Sequence, residues 1–297
     1  METIHHDQVH TGRVRLHVAR AGAAGGRLLM FLHGFPESWM SWRKYLDGFG
    51  GDFLAVAPDL RGFNDSDRPV AVADYEIGHV VDDIRALVAH YGAQRVTLVG
   101  HDWGGIAAWH FAARHAELLE RLIILNAPHP NIFQRALLSD PAQRAASQYM
   151  TRLRDSGCEA RLQGVGIETF WMSLFGEHFQ RGRISQADKE SAIAAWSQPG
   201  ALTAMLNWYR ASPIVVPPDG SDPVVDINEG NHPLKVSAPT LVIWGMQDNL
   251  LLPCLLDGLQ TFVPQLTVKR LDAAGHGLIH EEPDQITALI RAWMGKS

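Results

Sequence analysis

The segment Val99-Gly100-His101-Asp102-Trp103-Gly104-Gly105 stands between an apolar run and an apolar helical pattern. Glycines on both sides of Asp102 permit a tight turn and let the helix pack close to the strand, because glycine has no Cβ. The middle side chain then projects from the amino terminus of the helix, where the helix dipole favours negative charge. The segment is therefore typical of a nucleophile elbow with Asp102 as the nucleophile. A helix cap is the simpler alternative for an Asp at this place.

An aspartate at the centre of this turn changes the expected chemistry. A serine needs a base to remove its proton, whereas a carboxylate, with a reference pKa of about 3.9, is ionised near neutral pH. It attacks saturated carbon directly and leaves an ester on the enzyme. The residue type at position 102 thus predicts a covalent ester and argues against a serine esterase.

Short apolar runs alternate with helical patterns along most of the chain, and several are too apolar to have a face in water. Helices are predicted over residues 77–91 and 284–294, where apolar residues recur at helical spacing. The alternation predicts a mostly parallel, doubly wound sheet. The predicted strands are residues 14–18, 28–32, 53–57, 96–99, 122–125, 240–244 and 266–269.

The alternation stops between about residues 128 and 233. This stretch is rich in helix formers and aromatic residues, and it then passes into a loop that holds Pro213, Pro217, Pro218, Gly220 and Pro223. We interpret residues 1–127 and 234–297 as a core domain of the α/β-hydrolase fold, in which the nucleophile elbow occurs. We interpret residues 128–233 as a helical lid, or cap, inserted over the carboxyl ends of the strands.

Three further sites are expected from their places along the chain. His33-Gly34-Phe35-Pro36 follows an early strand, so the backbone N–H groups of Phe35 and Trp103 are the predicted oxyanion hole. Asp248 follows a late strand, and His276, flanked by glycines, follows the last one. His276 is the predicted base for a water molecule, and Asp248 is expected to fix its tautomer and stabilise the imidazolium.

Over nearly its full length the chain resembles the soluble epoxide hydrolases of the α/β-hydrolase fold. The resemblance implies hydrolysis of an epoxide to a diol, with no cofactor and no metal. The matching stretches are His33-Gly34-Phe35-Pro36-Glu37-Ser38-Trp39, Asp59-Leu60-Arg61-Gly62-Phe63, Gly100-His101-Asp102-Trp103-Gly104-Gly105, Asn126-Ala127-Pro128-His129-Pro130, Ser197-Gln198-Pro199-Gly200-Ala201 and Asn207-Trp208-Tyr209-Arg210.

In this family two lid tyrosines hold and protonate the epoxide oxygen. Tyr209, in Asn-Trp-Tyr-Arg, matches one of them, and Tyr149 is the expected second, with a packing residue on a lid helix as its alternative. The resemblance implies that Phe35, Trp103, Tyr149 and Tyr209 bind the substrate. It also implies a cis peptide bond between Phe35 and Pro36, the type of bond at which cis is least unfavourable.

Two kinds of function compete with this interpretation, namely dehalogenation and non-catalytic binding. A haloalkane dehalogenase of the same fold uses the same Asp, His and elbow Trp, but it needs a second halide donor, and the family places Asn or Glu after His-Gly. This chain has Phe35 there. A haloacid dehalogenase needs an Arg beside the nucleophile, where this chain has Trp103. A non-catalytic binding member of the fold is the second alternative, against which Asp102, Asp248 and His276 argue.

Composition limits the partners. The 297 residues carry a formal net charge of -6, which argues against nucleic acid or an anionic membrane, and no apolar run reaches the length of a membrane span. The expected partners are a small apolar epoxide and water. The two cysteines, Cys158 and Cys254, predict reduced thiols in a cytoplasmic protein. His5, His6 and His10 lie in a polar segment and are expected to be solvated, without a metal.

Overall fold

The computed structural model describes residues 3–221 and 233–295, and in these residues eight strands form one sheet in the order β1-β2-β4-β3-β5-β6-β7-β8. β1 pairs antiparallel with β2, and β2 pairs antiparallel with β4, whereas all other neighbours are parallel. The predicted fold class is confirmed. The strands are β1 (His5–His10), β2 (Arg15–Ala21), β3 (Leu28–Leu32), β4 (Leu54–Pro58), β5 (Val96–His101), β6 (Leu119–Leu125), β7 (Thr240–Gly245) and β8 (Leu266–Leu271).

The middle of the sheet is buried on both faces, as its continuous apolar sequences predict. Every residue of β3 and β4 is buried. Met30 and Leu32 of β3 belong to the core on the side of α2 (Ile77–His90) and α3 (Asp102–Arg114). The alternating Leu29 and Phe31 pack on the opposite side with α1 (Arg43–Phe49) and α12 (Pro283–Met294). This double covering fixes the carboxyl edge of the parallel strands, where the predicted site residues lie.

The first strand was not predicted from the sequence. β1 is polar except for the buried Val9, and it lies at the edge of the sheet, where β2 is its one paired neighbour among the described residues. An edge strand can carry polar side chains because most of them face water. His5, His6 and His10 are exposed, as predicted, but they belong to this strand.

A helical segment separates β6 from β7, and we call it the insertion. It contacts the core through indole donors: Trp208 Nε1 donates to the Arg61 carbonyl at 3.0 Å, and Trp196 Nε1 donates to the Pro36 carbonyl at 3.1 Å. Of the loop prolines that follow, Pro223 lies outside the described residues. The insertion's helices are α4 (Pro130–Ser139), α5 (Pro141–Ala146), α6 (Gln148–Arg154), α7 (Cys158–Val165), α8 (Ile167–Gln180), α9 (Gln186–Trp196) and α10 (Ala201–Ala211).

After β8 the chain forms a short helix, α11 (Leu278–Glu281), before α12. No helix in residues 3–221 and 233–295 has the length and apolarity that a membrane crossing requires.

Candidate active site

Asp102 lies at the junction of β5 and α3, at the carboxyl edge of the sheet. Its φ of +49° is in the left-handed region, which residues with a Cβ rarely adopt. The N-cap of α3 is His101, whose side chain makes no capping bond, so the capping alternative does not apply to Asp102. The turn needs Gly104, because a Cβ there would lie 2.2 Å from the Leu32 carbonyl oxygen. The elbow therefore holds one carboxylate in a strained, fixed position.

The loop after β3 supplies a donor to this carboxylate. The Phe35 N–H donates to Asp102 Oδ1 at 2.8 Å. Gly34 permits the approach, since a Cβ there would lie 2.5 Å from the Asp102 Cβ. The Phe35–Pro36 peptide bond is cis, as predicted. Among the described residues, the Trp103 N–H makes no hydrogen bond to the Asp102 side chain. This N–H is therefore not occupied by the Asp102 carboxylate.

A histidine and a second aspartate lie beside Asp102. His276 Nε2 is 3.8 Å from Asp102 Oδ2, and His276 Nδ1 is 2.8 Å from Asp248 Oδ2. The other oxygen of the buried Asp248 accepts from the N–H groups of Leu250 and Leu251, at 2.8 and 2.9 Å. The three residues follow β5, β7 and β8 in the sequence, and the fold brings them together. In space, His276 lies between Asp102 and Asp248.

Asn126 belongs to the site, although the sequence analysis gave it no role. Its Nδ2 donates to Asp248 Oδ2 at 2.6 Å, and its Oδ1 accepts from the Gly245 N–H at 2.7 Å. Asn126 follows β6 directly, with a φ of +37°. Polar residues at the carboxyl ends of neighbouring parallel strands converge. The position of Asn126 directly after β6 could therefore have predicted that it belongs to the site.

The charge around His276 favours its protonated form. Burial lowers the pKa of His276, but the Asp248 carboxylate and its hydrogen bond outweigh burial, and Asp102 and Glu37 add to their effect, which raises the pKa to about 9. His276 in turn is the main cause that holds the pKa of the buried Asp248 below its usual range, against the opposing effect of burial. Part of the raised pKa of His276 therefore depends on the negative charge of Asp102.

Two tyrosines of the insertion share a cavity with Asp102. The cavity has a volume of about 420 Å³, and its lining includes Asp102, Trp103, Tyr149 of α6 and Tyr209 of α10. The Tyr209 ring meets the rings of Phe35 and Trp103 edge-on, with centroid distances of 5.0 and 5.1 Å. The Tyr149 ring also meets the Tyr209 ring edge-on, with a distance of 6.1 Å between the ring centroids.

Both tyrosine hydroxyls stay protonated. Burial raises the pKa of Tyr149, and the charge of Asp102 raises it further. Burial, Tyr149 and Asp102 together raise the pKa of Tyr209 well above its ordinary value. The cavity therefore contains one carboxylate and two neutral phenols that are close enough to sense its charge.

Known proteins are similar to this chain in both fold and sequence. A family model for the α/β-hydrolase fold matches residues 27–283. An AB hydrolase superfamily protein of Bacillus subtilis is 34% identical over 292 residues, which cover 96% of each chain. Epoxide hydrolase 3 of Xenopus tropicalis is 33% identical over 296 residues, which cover 95% of this chain and 75% of that protein.

A solved structure from work on novel epoxide hydrolases in metagenomes of hot environments superposes with a TM-score of 0.90 at 34% identity, covering 99% of this chain and 100% of that one. The chain belongs to the epoxide hydrolase family. The resemblance seen in the sequence is thereby confirmed.

Behind the nucleophile, this epoxide hydrolase family member has a buried acid between two histidines. Glu37 lies 2.6 Å from His280 Nε2 through Oε1 and 3.3 Å from His101 Nδ1 through Oε2. His101 Nε2 lies 2.9 Å from the carbonyl oxygen of His276. Burial opposes ionisation of Glu37, but the two histidines hold its pKa well below its usual range. The network supports the His276 loop, and the sequence analysis named Glu37 and His101 only within matching stretches.

One group of side chains in the described residues has metal-ligand spacing. His17, Asp59 and Asp65 bring one ligand atom each to within 4.8 Å of one another. Hydrogen bonds account for much of this arrangement: Asp59 accepts from the Trp39 N–H at 2.9 Å, and its other oxygen lies 2.7 Å from both His17 Nδ1 and Asn64 Nδ2. None of these residues lines the cavity that contains Asp102.

Proposed function

We propose that this protein hydrolyses an epoxide to a vicinal diol through a covalent ester on Asp102. The observation that carries the proposal is the pair of protonated hydroxyls, Tyr149 and Tyr209, in the cavity that Asp102 lines. Opening an epoxide produces an alkoxide, a strong base that must be given a proton. A halide leaves as a stable anion and needs no such donor, so two phenols that line the cavity favour the epoxide over the haloalkane.

In the first step, Asp102 Oδ2 attacks a ring carbon while Oδ1 stays on the Phe35 N–H. The carbon–oxygen bond of the ring breaks, and the released oxygen takes a proton from Tyr209, with Tyr149 as its second donor. The product is a hydroxyalkyl ester of Asp102. The faces of Phe35 and Trp103 hold the apolar part of the substrate beside the carboxylate.

In the second step, His276 removes a proton from water, and the resulting hydroxide attacks the ester carbonyl carbon. The negative charge that develops on Oδ1 is stabilised by the N–H groups of Phe35 and Trp103. Asp248 stabilises the imidazolium, 2.8 Å away. The carbon–oxygen bond of the ester breaks, the leaving alkoxide takes the proton of the hydroxyl group that water added to the Asp102 carbon, and the diol leaves. The proton on His276 then returns to the tyrosine. Epoxide and water supply every atom of the diol.

Esterification of Asp102 also leaves more of His276 in the neutral form that can take a proton from water. In the free enzyme the negative charge of Asp102 is one of the causes of the raised pKa of His276. The ester carries no charge, so this contribution disappears when the intermediate forms, and the pKa of His276 falls. The fraction of neutral imidazole then rises in the state that needs a base.

We further propose that the insertion forms a lid within the predicted bounds 128–233, of which residues 222–232 lie outside the described part of the chain. Tyr149 of α6 and Tyr209 of α10, which line the cavity, support this proposal. Both cysteines, Cys158 and Cys254, are free thiols. A cytoplasmic location remains a prediction from the sequence.

A substrate panel tests the proposed function. Wild-type protein and Asp102→Ala are assayed with styrene-type epoxides and with haloalkanes of similar size. We expect diol formation from the epoxides, little or no halide release, and loss of diol formation in Asp102→Ala. Halide release without diol formation would favour the dehalogenase. No turnover of either class by a folded wild-type protein would favour a binding member of the fold.

A further inference from the structure

Asp248 lies in the loop that follows β7, at residues 246–252. Its Oδ1 accepts from the N–H groups of Leu250 and Leu251, at 2.8 and 2.9 Å, and its Oδ2 lies 2.8 Å from His276 Nδ1. Two successive N–H groups of the loop thus hold the carboxylate that faces His276. The orientation of Asp248 therefore depends on how this stretch of backbone is fixed.

The side chain of Gln143, in α5 of the insertion, binds the backbone of the same loop. Gln143 Nε2 donates to the Leu250 carbonyl at 2.9 Å, and Gln143 Oε1 accepts from the Leu252 N–H at 2.8 Å. The amide thus bridges the backbone on both sides of Leu251. It holds the segment whose N–H groups donate to Asp248.

The Gln143 amide is itself fixed in one orientation. The residue is 0% exposed, and a buried amide without partners is unfavourable. Its Nε2 also donates to the Ser147 Oγ at 2.9 Å, so both N–H groups of the amide are used and the donor end points to the Leu250 carbonyl. Asp140, the N-cap of α5, accepts from the Gln143 backbone N–H at 3.2 Å. Gln143 is therefore a rigid support for the loop.

The support lies close to the cavity on both sides of the contact. Leu251, in the bridged segment of the loop, lines the cavity together with Asp102. Tyr149, which also lines the cavity, follows Gln143 by six residues in the insertion. One short segment of the insertion thus carries a proposed proton donor for ring opening and the side chain that holds the loop of Asp248.

We propose that Gln143 is a positioning residue for ester hydrolysis, because it fixes the loop backbone that keeps the Asp248 carboxylate directed at His276. This inference rests on the proposed epoxide hydrolysis and gives the insertion a part in its second step. Gln143 is not among the described residues that line the cavity, so it acts through the N–H groups of Leu250 and Leu251.

The two steps of the reaction differ in their need for this support. Asp102 opens the ring as a carboxylate, without a base, so ester formation does not depend on the loop of Asp248. Ester hydrolysis needs His276 to take a proton from water, and Asp248 orients the imidazole and stabilises the imidazolium. Loss of the Gln143 amide should therefore slow ester hydrolysis and leave ester formation nearly unchanged.

Gln143→Met tests this expectation, because it removes the amide and keeps the length of the side chain. Displacement of a catalytic group by about 1 Å can cost about a hundredfold in rate, so we expect ester hydrolysis to be roughly tenfold to a hundredfold slower. Single turnovers of styrene oxide are quenched at intervals, and mass spectrometry measures the fraction of the Asp102 peptide that carries the substrate. This fraction should be larger and longer-lived in Gln143→Met than in wild type.

Gln148→Met is the matched control. Gln148 Nε2 donates to the carbonyls of Arg144 and Pro217, at 3.0 and 2.9 Å, so this variant also loses two side-chain hydrogen bonds, but both lie within the insertion. Gln148 precedes Tyr149, and a general disturbance of the insertion would therefore slow ester formation in both variants. Both rates should stay near their wild-type values in Gln148→Met.

Gln143→Asn provides a second variant. It keeps a buried amide that is one methylene too short to bridge both backbone groups, and it should slow ester hydrolysis by a smaller factor. This variant carries the test if circular dichroism shows that Gln143→Met does not fold. A wild-type rate of ester hydrolysis in the folded variant, or an equal slowing of both steps, would overturn the inference.

The same assay separates this inference from the proposed function. If wild type forms the Asp102 ester and the diol, but the folded Gln143 variant hydrolyses the ester at the wild-type rate, Gln143 is not a positioning residue and the epoxide hydrolase remains. If folded wild type forms neither ester nor diol, the proposed function fails, and the inference fails with it.

Discussion

Removal of one tyrosine hydroxyl tests the proposed proton donor. Tyr209→Phe keeps the ring that contacts Phe35 and Trp103, at centroid distances of 5.0 and 5.1 Å, so it removes an acid and little packing. A hydrogen bond to a charged group is worth about 1.5–3 kcal/mol, which corresponds to roughly a tenfold to hundredfold change in rate. Since Tyr149 remains as a second donor, we expect the lower end of this range for formation of the Asp102 ester.

Single-turnover kinetics measure the two steps separately. Trp103 lies against Tyr209 and in the cavity, so its fluorescence provides a signal for ester formation and ester hydrolysis. Tyr209→Phe should slow ester formation and leave ester hydrolysis nearly unchanged, because the proton is needed only when the ring opens. Tyr149→Phe combined with Tyr209→Phe should abolish ester formation.

The matched control for these substitutions is Tyr91→Phe, which removes a hydroxyl bonded to Asp7, outside the cavity. Both rates should stay at their wild-type values in this variant. If Tyr209→Phe leaves epoxide opening at its wild-type rate, or slows only ester hydrolysis, Tyr209 is not the acid and the argument for an epoxide loses its main support.

Two further substitutions, one of them with a matched control variant, test the charge and the packing of the site. Asp248→Asn should lower the pKa of His276 from about 9 toward its ordinary value of about 6.5, because Asp248 is the main cause of the increase; an NMR pH titration of the imidazole that still gave a value near 9 would contradict this. Gly104→Ala should destabilise the fold by about 1–3 kcal/mol in urea unfolding, because its Cβ would lie 2.2 Å from a backbone oxygen. Gly164→Ala in α7, where a Cβ meets nothing within 4 Å, should instead stabilise it by roughly 0.5–1 kcal/mol, and equal effects of the two would contradict the packing argument.

Much of this fold could be predicted because its central strands are apolar on both faces. β3 and β4 are continuous apolar runs, and the structure buries each of their residues. β1 escaped prediction because an edge strand needs only one buried position, here Val9. The ends of strands were also missed: β5 continues to His101, since the backbone pairing extends beyond the last apolar residue.

The chemical centre of the site could be predicted because its residues follow strands in a fixed order. Asp102, Asp248 and His276 each come directly after a strand or in the loop that follows it, so topology brings them to one edge. The supporting contacts could not be predicted in this way. Glu37 and His280 are far apart in sequence, and only the packing of their loops brings them to 2.6 Å.

The cavity that Asp102 lines illustrates a third case. The helical pattern of α3 can be read from the sequence, but the cavity beside α3 depends on how the insertion lies over that helix. The sequence therefore predicts the helix without showing which residues of the insertion lie over it. The same limit applies to Tyr149, whose place in the cavity depends on the position of α6.

A single turnover in heavy-oxygen water tests the covalent ester on Asp102 most directly. Excess enzyme is mixed with an epoxide, quenched and digested, and the peptide that contains Asp102 and the diol are weighed by mass spectrometry. Attack of water on the ester carbonyl carbon places the heavy oxygen in the Asp102 carboxylate, and the first diol released contains none. Heavy oxygen found in that first diol, with an unlabelled Asp102 peptide, would mean that water attacks the epoxide directly and would contradict the ester mechanism.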